Sequence, residues 1–260
     1  MLDEFSILIT PFNIERTIRV YLPQNYYTSK ENYPVLYMHD GKNVFRDKVA
    51  IGGVSLGLES YLEQIGLKLI VVGIDANVSR EERVNEYCPW VNGAFSKAVL
   101  GDDSALGGKG EVYVDFIVHE LKPIVDHKYR TSPNKTYMGG VSLGGLISTF
   151  AACRYPHIFT RVAGVSSAFY RNQEEIENLL RQSDMSSIEQ FYLDCGTKEA
   201  GEEDSISTAF VNSNEAVYEI LRNKIPRTKF QVVSDAKHNY EDFRKRVPEI
   251  FSFLFSDILG

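Results

Sequence analysis

The sequence predicts an α/β fold with a mostly parallel sheet and helices on both faces. Apolar runs of strand length alternate with longer segments of helical period, as in proteins built from strand–helix–strand units. The chain has 260 residues, of which 43% are hydrophobic and 24% charged, so it can bury a core that needs neither disulfides nor a structural metal. Neither an internal repeat nor a linker rich in Pro, Gly or Ser divides it, and we expect a single domain over residues 1–260.

Eight short apolar runs are predicted to be the strands of this sheet. In chain order they are Phe5–Ile9, Ile18–Leu22, Val35–Met38, Leu69–Ile74, Lys135–Met138, Val162–Val165, Phe191–Leu193 and Phe230–Val233. The first two are expected to form an antiparallel edge. Pro34 stands at the start of the third run, a position where a strand tolerates the missing N–H.

Five longer segments have helical spacing of apolar residues and are predicted to be helices. They are Val112–Lys128, Leu143–Tyr155, Glu174–Gln182, Ser207–Asn223 and Glu241–Leu254. Pro123 should kink or restart the first of them because it lacks a backbone N–H. A surface helix is also expected over Leu56–Ile65. The stretch from about 76 to 111 has little pattern, and because loops this long tend to serve a binding surface, we predict a long substrate-side loop there.

Charge and cysteine content narrow the class of partner and the compartment. Lys and Arg number 28 against 35 Asp and Glu, a net charge of -7 that repels phosphate backbones and anionic lipid headgroups. We therefore expect neither nucleic acid nor a membrane as a partner. Three cysteines cannot all pair, and the first residues lack the basic start and apolar run of a secretory signal, which favours a cytoplasmic location. The composition indicates no particular oligomeric state.

The pattern Gly-x-Ser-x-Gly occurs twice, around Ser55 and around Ser142. In serine hydrolases such a serine lies on a sharp turn from a strand to a helix, where flanking glycines avoid a collision. Ser142 follows an apolar run and precedes an almost wholly apolar segment, whereas Ser55 follows a charged stretch and precedes an amphipathic one. We therefore predict Ser142 as the nucleophile and Ser55 as a helix cap or loop residue.

A serine nucleophile needs a base and a carboxylate that orients the base. In this architecture the acid and then the histidine follow the serine along the chain. Of the five histidines, His238 alone stands in a loop after a late strand, and we predict it as the base. Glu199 is favoured as the acid because it follows a strand end, where ligand-facing groups lie, with Asp194 as the main alternative. The remaining candidates for the acid are Glu202, Glu203 and Asp204.

Backbone N–H groups should stabilise the oxyanion. One is predicted at Leu143, directly after the nucleophile, and a second at Gly41, in the turn after an early strand. The alternative for Gly41 is an ordinary Asp-Gly turn. In the predicted loop, Tyr87 and Trp90 are candidate aromatic walls of a substrate pocket and Arg83 a candidate anion clamp. The alternative for Trp90 is that it attaches the loop to the core.

These residues carry a resemblance that covers nearly the whole chain. The segments concerned are Tyr37–Gly41, Glu86–Trp90, Tyr113–Ile117, Gly139–Gly145 and Asp194–Glu199, together with Arg83 and His238. On them the chain resembles the esterase D-like family of α/β-hydrolases, which includes feruloyl and siderophore esterases. That family usually has Asp at the position of Glu199. Glutamate has the same charge on a longer side chain.

The resemblance implies an α/β-hydrolase that cleaves small carboxylic esters, of short acyl groups, carbohydrates or aryl alcohols, through a Ser-His-acid triad and an acyl-enzyme. It implies no metal and no organic cofactor. Two alternatives remain open. Transfer of the acyl group to an acceptor alcohol would use the same triad, and a catalytically silent binding module could use the same scaffold, since a fold does not determine a function. The natural ester is not indicated by the sequence.

Overall fold

The computed structural model describes residues 1–101 and 103–258, and within them eight strands form one sheet. The strands are β1 (Leu2–Ile9), β2 (Ile14–Tyr21), β3 (Tyr33–His39), β4 (Ile70–Ile74), β5 (Thr131–Val141), β6 (Phe159–Val165), β7 (Gln190–Lys198) and β8 (Thr228–Lys237). Their order across the sheet is β1-β2-β4-β3-β5-β6-β7-β8. The pairs β1 with β2 and β2 with β4 are antiparallel, and all the others are parallel. The predicted α/β class and antiparallel edge are therefore confirmed.

Nine α-helices lie within the described residues. They are α1 (Leu58–Ile65), α2 (Arg80–Tyr87), α3 (Ala94–Leu100), α4 (Gly110–Phe116), α5 (Lys122–Lys128), α6 (Leu143–Arg154), α7 (Gln173–Gln182), α8 (Asp204–Leu221) and α9 (Tyr240–Phe255). A π-helical turn over Ile117–Leu121 joins α4 to α5. Pro123 lies in the first turn of α5, where no intrahelical N–H is needed, so it restarts the predicted helix rather than ending it.

The expectation of a long loop over 76–111 is wrong in part, because α2 and α3 lie inside it. The polar composition of α2 hides the apolar period on which the prediction depended. A different signal was present. Ser79 accepts a hydrogen bond from the Glu82 N–H at 3.3 Å, and Ser followed three residues later by Glu is the pattern of a capping box.

The helices cover both faces of the sheet, as alternating side chains of the strands require. In β3, Val35 and Tyr37 belong to one buried cluster and Leu36 and Met38 to another. The first cluster includes apolar residues of α2 and of α4 to α8, and the second includes those of α1 and α9. None of the helices in the described parts of the chain has both the length and the apolar character needed to cross a bilayer.

Candidate active site

The junction of β5 and α6 is a tight turn with Ser142 at its apex. Ser142 has φ 60° and ψ -121°, a backbone conformation that costs a non-glycine residue about 1–3 kcal/mol and that proteins keep mainly at functional sites. A Cβ on Gly140 would lie 2.4 Å from the carbonyl carbon of Gly144. Only glycine fits there. The predicted glycine-flanked bend after a strand is therefore present, with the geometry of a nucleophile elbow.

Ser142 is half-buried, and its side chain does not cap α6. Leu143 is the first residue of that helix. The first N–H groups of a helix have no acceptor within it and carry its positive dipole end. The turn thus presents a hydroxyl beside the Leu143 N–H, which has no acceptor within its own helix.

The second Gly-x-Ser-x-Gly pattern has a structural role. Ser55 is fully buried, donates a hydrogen bond to Asp47 Oδ1 at 2.9 Å and accepts one from the Gly57 N–H at 3.1 Å. Gly57, and not Ser55, is the N-cap of α1. Ser55 is a loop residue, one of the two roles predicted for it.

His238 and Glu199 are brought together by the ends of β8 and β7. His238 Nδ1 lies 2.6 Å from Glu199 Oε2. The histidine side chain is 31% exposed and that of the glutamate is completely buried. The other carboxylate oxygen accepts hydrogen bonds from Ser166 Oγ and the Gly196 N–H, each at 2.5 Å. Burial opposes ionisation of Glu199, but these bonds outweigh it and lower the pKa of the carboxyl.

Asp194, the alternative acid, has other partners. It is fully buried in β7, where it forms an ion pair with Arg246 Nη1 at 2.8 Å and accepts a hydrogen bond from the Ser166 N–H at 3.2 Å. Burial raises the pKa of Asp194 even though Arg246 opposes that change. The structure therefore separates the two candidates by their contact with the histidine, since His238 Nδ1 lies 2.6 Å from Glu199, whereas Asp194 is paired with Arg246.

The carboxyl ends of neighbouring parallel strands bring these groups to the same end of the sheet. The Ser142 N–H donates to the Val165 carbonyl at 2.9 Å, and the Ser142 carbonyl accepts from the Ala168 N–H at 3.0 Å. The intervening Ser166 donates to Glu199, which contacts His238. A continuous path of hydrogen bonds and adjoining residues therefore leads from the elbow to the histidine, as the carboxyl ends of adjacent parallel strands allow.

The turn after β3 packs against the elbow. A Cβ on Gly144 would lie 3.2 Å from the Cβ of His39, and one on Gly41 would lie 2.6 Å from Asp75 Oδ1. Asp40 has a left-handed backbone, with φ 58°. The close approach of Asp75 gives a packing reason for glycine at position 41, which is compatible with both roles predicted for it.

His39 in this turn should make stability depend on pH. It is almost completely buried, with Nδ1 3.0 Å from the Tyr113 hydroxyl, and burial lowers its pKa from 6.5 to about 4. The unfolded chain therefore binds this proton more readily than the folded chain. The contribution of His39 to the free energy of unfolding is complete above about pH 6.5 and falls by about 3 kcal/mol as pH drops to about 4.

We expect denaturant titrations at about pH 7 and pH 4.5 to show a smaller acid destabilisation in His39→Asn than in the wild type. Comparing this loss of stability between the two proteins cancels the contribution of the carboxylates that both share. An equal loss of unfolding free energy in both proteins would show that His39 does not carry the effect.

The three substrate candidates in the 76–111 segment have partners inside the protein. Arg83 donates to both oxygens of Asp40 at 2.7 Å, and the Asp40 N–H donates to the buried Tyr87 hydroxyl at 3.2 Å. Trp90 packs edge-on against Phe150 of α6 with centroids 5.4 Å apart. The Arg83 charge is thus matched by Asp40, and the Trp90 contact is the attachment to the core that was the alternative for this residue.

A cavity of about 190 Å³ adjoins His238 and Glu199. Its other lining residues are Val99, Tyr170, Ala200, Ile206 and Phe210. The sequence does not reveal them, because they come from α3, α8 and two connecting segments and share no motif. Across residues 1–101 and 103–258, no group of three or more His, Cys, Asp or Glu side chains is placed to share a metal ion.

The sequence profile of the protein family described as "Putative esterase" matches residues 10–254. The chain belongs to this family. The protein is accordingly a carboxylic ester hydrolase, and the resemblance to the esterase D-like group is confirmed. Uncharacterized protein YbbA from Bacillus subtilis (strain 168) is 26% identical to this esterase over 250 residues, which are 92% of each chain.

Solved structures similar to the esterase confirm the α/β-hydrolase fold. A ferulic acid esterase matches with a TM-score of 0.72 at 17% identity, over 98% of both chains. An IroE-like serine hydrolase from Shewanella oneidensis matches with a TM-score of 0.76 at 19% identity, over 96% of the esterase and 79% of the other chain. The enterobactin esterase FES from Shigella flexneri matches with a TM-score of 0.75 at 17% identity, over 99% of the esterase and 59% of FES.

Proposed function

We propose that the protein cleaves small carboxylic esters with a triad of Ser142, His238 and Glu199 through an acyl-enzyme. The observation that carries this proposal is the 2.6 Å contact between His238 Nδ1 and Glu199 Oε2, on the sheet edge where Ser142 lies at the elbow. A carboxylate on Nδ1 holds the imidazole in the tautomer whose Nε2 can accept a proton. The lowered pKa of Glu199 keeps that carboxylate ionised.

In the proposed reaction, His238 takes the Ser142 proton as Oγ attacks the ester carbonyl carbon. The tetrahedral intermediate collapses when His238 gives the proton to the leaving alcohol oxygen, and an acyl-serine remains. Water then loses a proton to His238 and attacks the acyl carbon. The second tetrahedral intermediate collapses as His238 returns that proton to Ser142 Oγ, which releases the carboxylic acid and regenerates Ser142. Glu199 stabilises the imidazolium that forms in each half-reaction.

The negative oxygen of the intermediate is assigned to the N–H groups of Leu143 and Gly41. Support for the first is its place at the start of α6, and for the second the packing of the β3 turn against the elbow. Preorganised donors of this kind contribute about 10² to 10³ each in rate. No metal or organic cofactor takes part in the proposed reaction.

The proposed substrates are small esters of short acyl groups, carbohydrates or aryl alcohols. The names of two similar proteins, a ferulic acid esterase and an enterobactin esterase, support a carboxylic ester as the substrate. If the acyl group were passed to an alcohol instead of water, excess acceptor alcohol would lower the yield of free acid. We expect the yield to stay unchanged.

The assignment of the acid is tested by two carboxylate-to-amide variants. Glu199→Gln should lower kcat by about 10⁴, because the amide can hold the imidazole in the wrong tautomer. Asp194→Asn should lower kcat by less than about tenfold per folded molecule, because Asp194 contacts Arg246 and not His238. Steady-state kinetics on p-nitrophenyl acetate, with folding checked by circular dichroism, measures both. A larger loss in Asp194→Asn would reverse the assignment.

A further inference from the structure

We infer that the cavity beside His238 receives the alcohol portion of the ester and selects uncharged, apolar alcohols of about one ring in size. We call it the His238 cavity; it is lined by Val99, Tyr170, Glu199, Ala200, Ile206, Phe210 and His238. The inference rests on the proposed function, because it uses His238 as the group that protonates the leaving oxygen.

The position of the His238 cavity assigns it to the alcohol rather than to the acyl chain. His238 and Glu199 form one of its walls, while Ser142, Leu143 and Gly41 are not among the described residues that line it. In the intermediate, the carbonyl oxygen must face the backbone donors and the leaving oxygen must face the imidazole. The substituent on the leaving oxygen is therefore the part of the substrate nearest to this cavity.

The walls of the His238 cavity favour an uncharged group. Phe210 lies with its ring centroid 5.1 Å from that of Tyr170 and 5.5 Å from that of His238. Glu199 is the one carboxylate among its described lining residues, and both of its oxygens already accept hydrogen bonds. No Lys or Arg is among those residues. An anionic alcohol would lose its water there beside the carboxylate of Glu199, and none of the described lining residues supplies it with a counter-charge.

The size of the cavity sets the size of the alcohol. An apolar cavity of about 150 Å³ is large enough to bind benzene. At about 190 Å³, the His238 cavity accommodates one ring with a short link to oxygen and leaves little room for a fused pair of rings. Benzyl alcohol has the required size and lacks a charge.

Two variants change the cavity in opposite directions. Val99 and Ile206 are only partly buried, so replacing them should leave the fold intact. Val99→Phe fills the cavity and should lower kcat/KM for benzyl acetate relative to methyl acetate by about tenfold or more. Ile206→Ala enlarges it and should raise kcat/KM for 2-naphthylmethyl acetate relative to benzyl acetate by a similar factor. The alcohols of these three acetates are leaving groups of similar quality, so the ratios of kcat/KM report how well each alcohol fits the cavity.

The acyl series and a matched variant provide the controls. The ratio of kcat/KM for benzyl hexanoate to that for benzyl acetate should stay within about twofold in both variants, because the acyl chain lies elsewhere. Ile220→Ala, on the same helix as Ile206 but outside the cavity, should change none of the ratios. Benzyl acetate carrying a ring carboxylate should be a poor substrate of the wild type.

The outcomes separate this inference from the proposed function. If the wild type hydrolyses the esters through Ser142 but the alcohol ratios do not move, the inference is overturned and the triad stands. If the acyl ratio moves instead, the cavity holds the acyl chain and the inference is again overturned. If Ser142→Ala hydrolyses the esters as fast as the wild type, the proposed function fails, and the inference fails with it.

Discussion

Ser142→Ala should lower kcat/KM for ester hydrolysis by about 10⁴ to 10⁶ while leaving the fold intact. The variant removes the proposed attacking oxygen, so no acyl-enzyme can form, and only substrate binding and the oxyanion donors remain to accelerate attack by water. Alanine should tolerate the apex of the turn no worse than serine, since both carry a Cβ at φ 60°.

Ser55→Ala is the matched control for that experiment, because Ser55 lies in the other Gly-x-Ser-x-Gly pattern. Its hydroxyl bonds Asp47 and Gly57, so its loss should cost about 1–3 kcal/mol of stability and leave kcat/KM per folded molecule nearly unchanged. Kinetics on p-nitrophenyl acetate, after circular dichroism of each variant, measures the difference. Full activity in Ser142→Ala would refute the mechanism.

Arg246→Met should destabilise the protein by about 3–5 kcal/mol at neutral pH. Arg246 is buried in α9, where Nη1 contacts Asp194 Oδ1 and Ser166 Oγ at 2.8 Å each, and Nη2 lies 4.0 Å from Glu199 Oε1. Methionine has a similar length but no charge. Two fully buried carboxylates would then lose the guanidinium between them, and an uncompensated buried charge is costly.

The destabilisation should itself depend on pH. The pKa of Asp194 is already raised by burial, and without Arg246 it should rise further. The folded variant would then bind a proton more readily than the unfolded chain, so its stability should recover as pH falls through that range. We expect a larger loss at about pH 8 than at about pH 5.

Urea titrations of two further variants complete the test of Arg246. Arg244→Met, on the same helix, removes a partly exposed arginine that contacts Asp47 and the Ser55 carbonyl, and it should cost about 1 kcal/mol. Adding Asp194→Asn to Arg246→Met should recover part of the lost stability, because one unpaired charge is then gone. If Arg246→Met lost no more unfolding free energy than Arg244→Met, Arg246 would not be the group that compensates the buried carboxylates.

The central parts of the strands were predictable, but their ends were not. The central residues of the strands are apolar because helices cover both faces of the sheet. The run Lys135–Met138 was predicted as a strand on this ground, and it lies within β5. The strand in fact extends over Thr131–Val141, and its first residues are mostly polar and partly exposed. Such ends are held by backbone hydrogen bonds, which every residue can accept and every residue except proline can donate, so composition does not reveal them.

The elbow was predictable because its chemistry is local in sequence. Gly140, Ser142 and Gly144 are neighbours in the chain, and the steric need for glycine is visible as a motif. The choice of Glu199 over Asp194 depended on which residue follows the end of the strand, and its contact with His238 agrees with that choice.

The supports of the candidate site were not predictable from the sequence. Ser166 and Arg246 are 80 residues apart, and only the packing of α9 against the sheet brings them to 2.8 Å. A buried arginine in an amphipathic helix has the same one-dimensional pattern as an exposed one. The walls of the His238 cavity likewise come from distant segments. The sequence pointed to the 76–111 stretch for substrate binding, but α8 supplies two of the lining residues.

Labelling with a fluorophosphonate, followed by peptide mass spectrometry, tests the proposed nucleophile most directly. The reagent bonds covalently to an activated serine and requires the base as well as the hydroxyl. We expect one phosphonyl adduct per chain on Ser142, absent in Ser142→Ala and retained in Ser55→Ala. An adduct on Ser55, or no adduct on the folded wild-type protein, would contradict it.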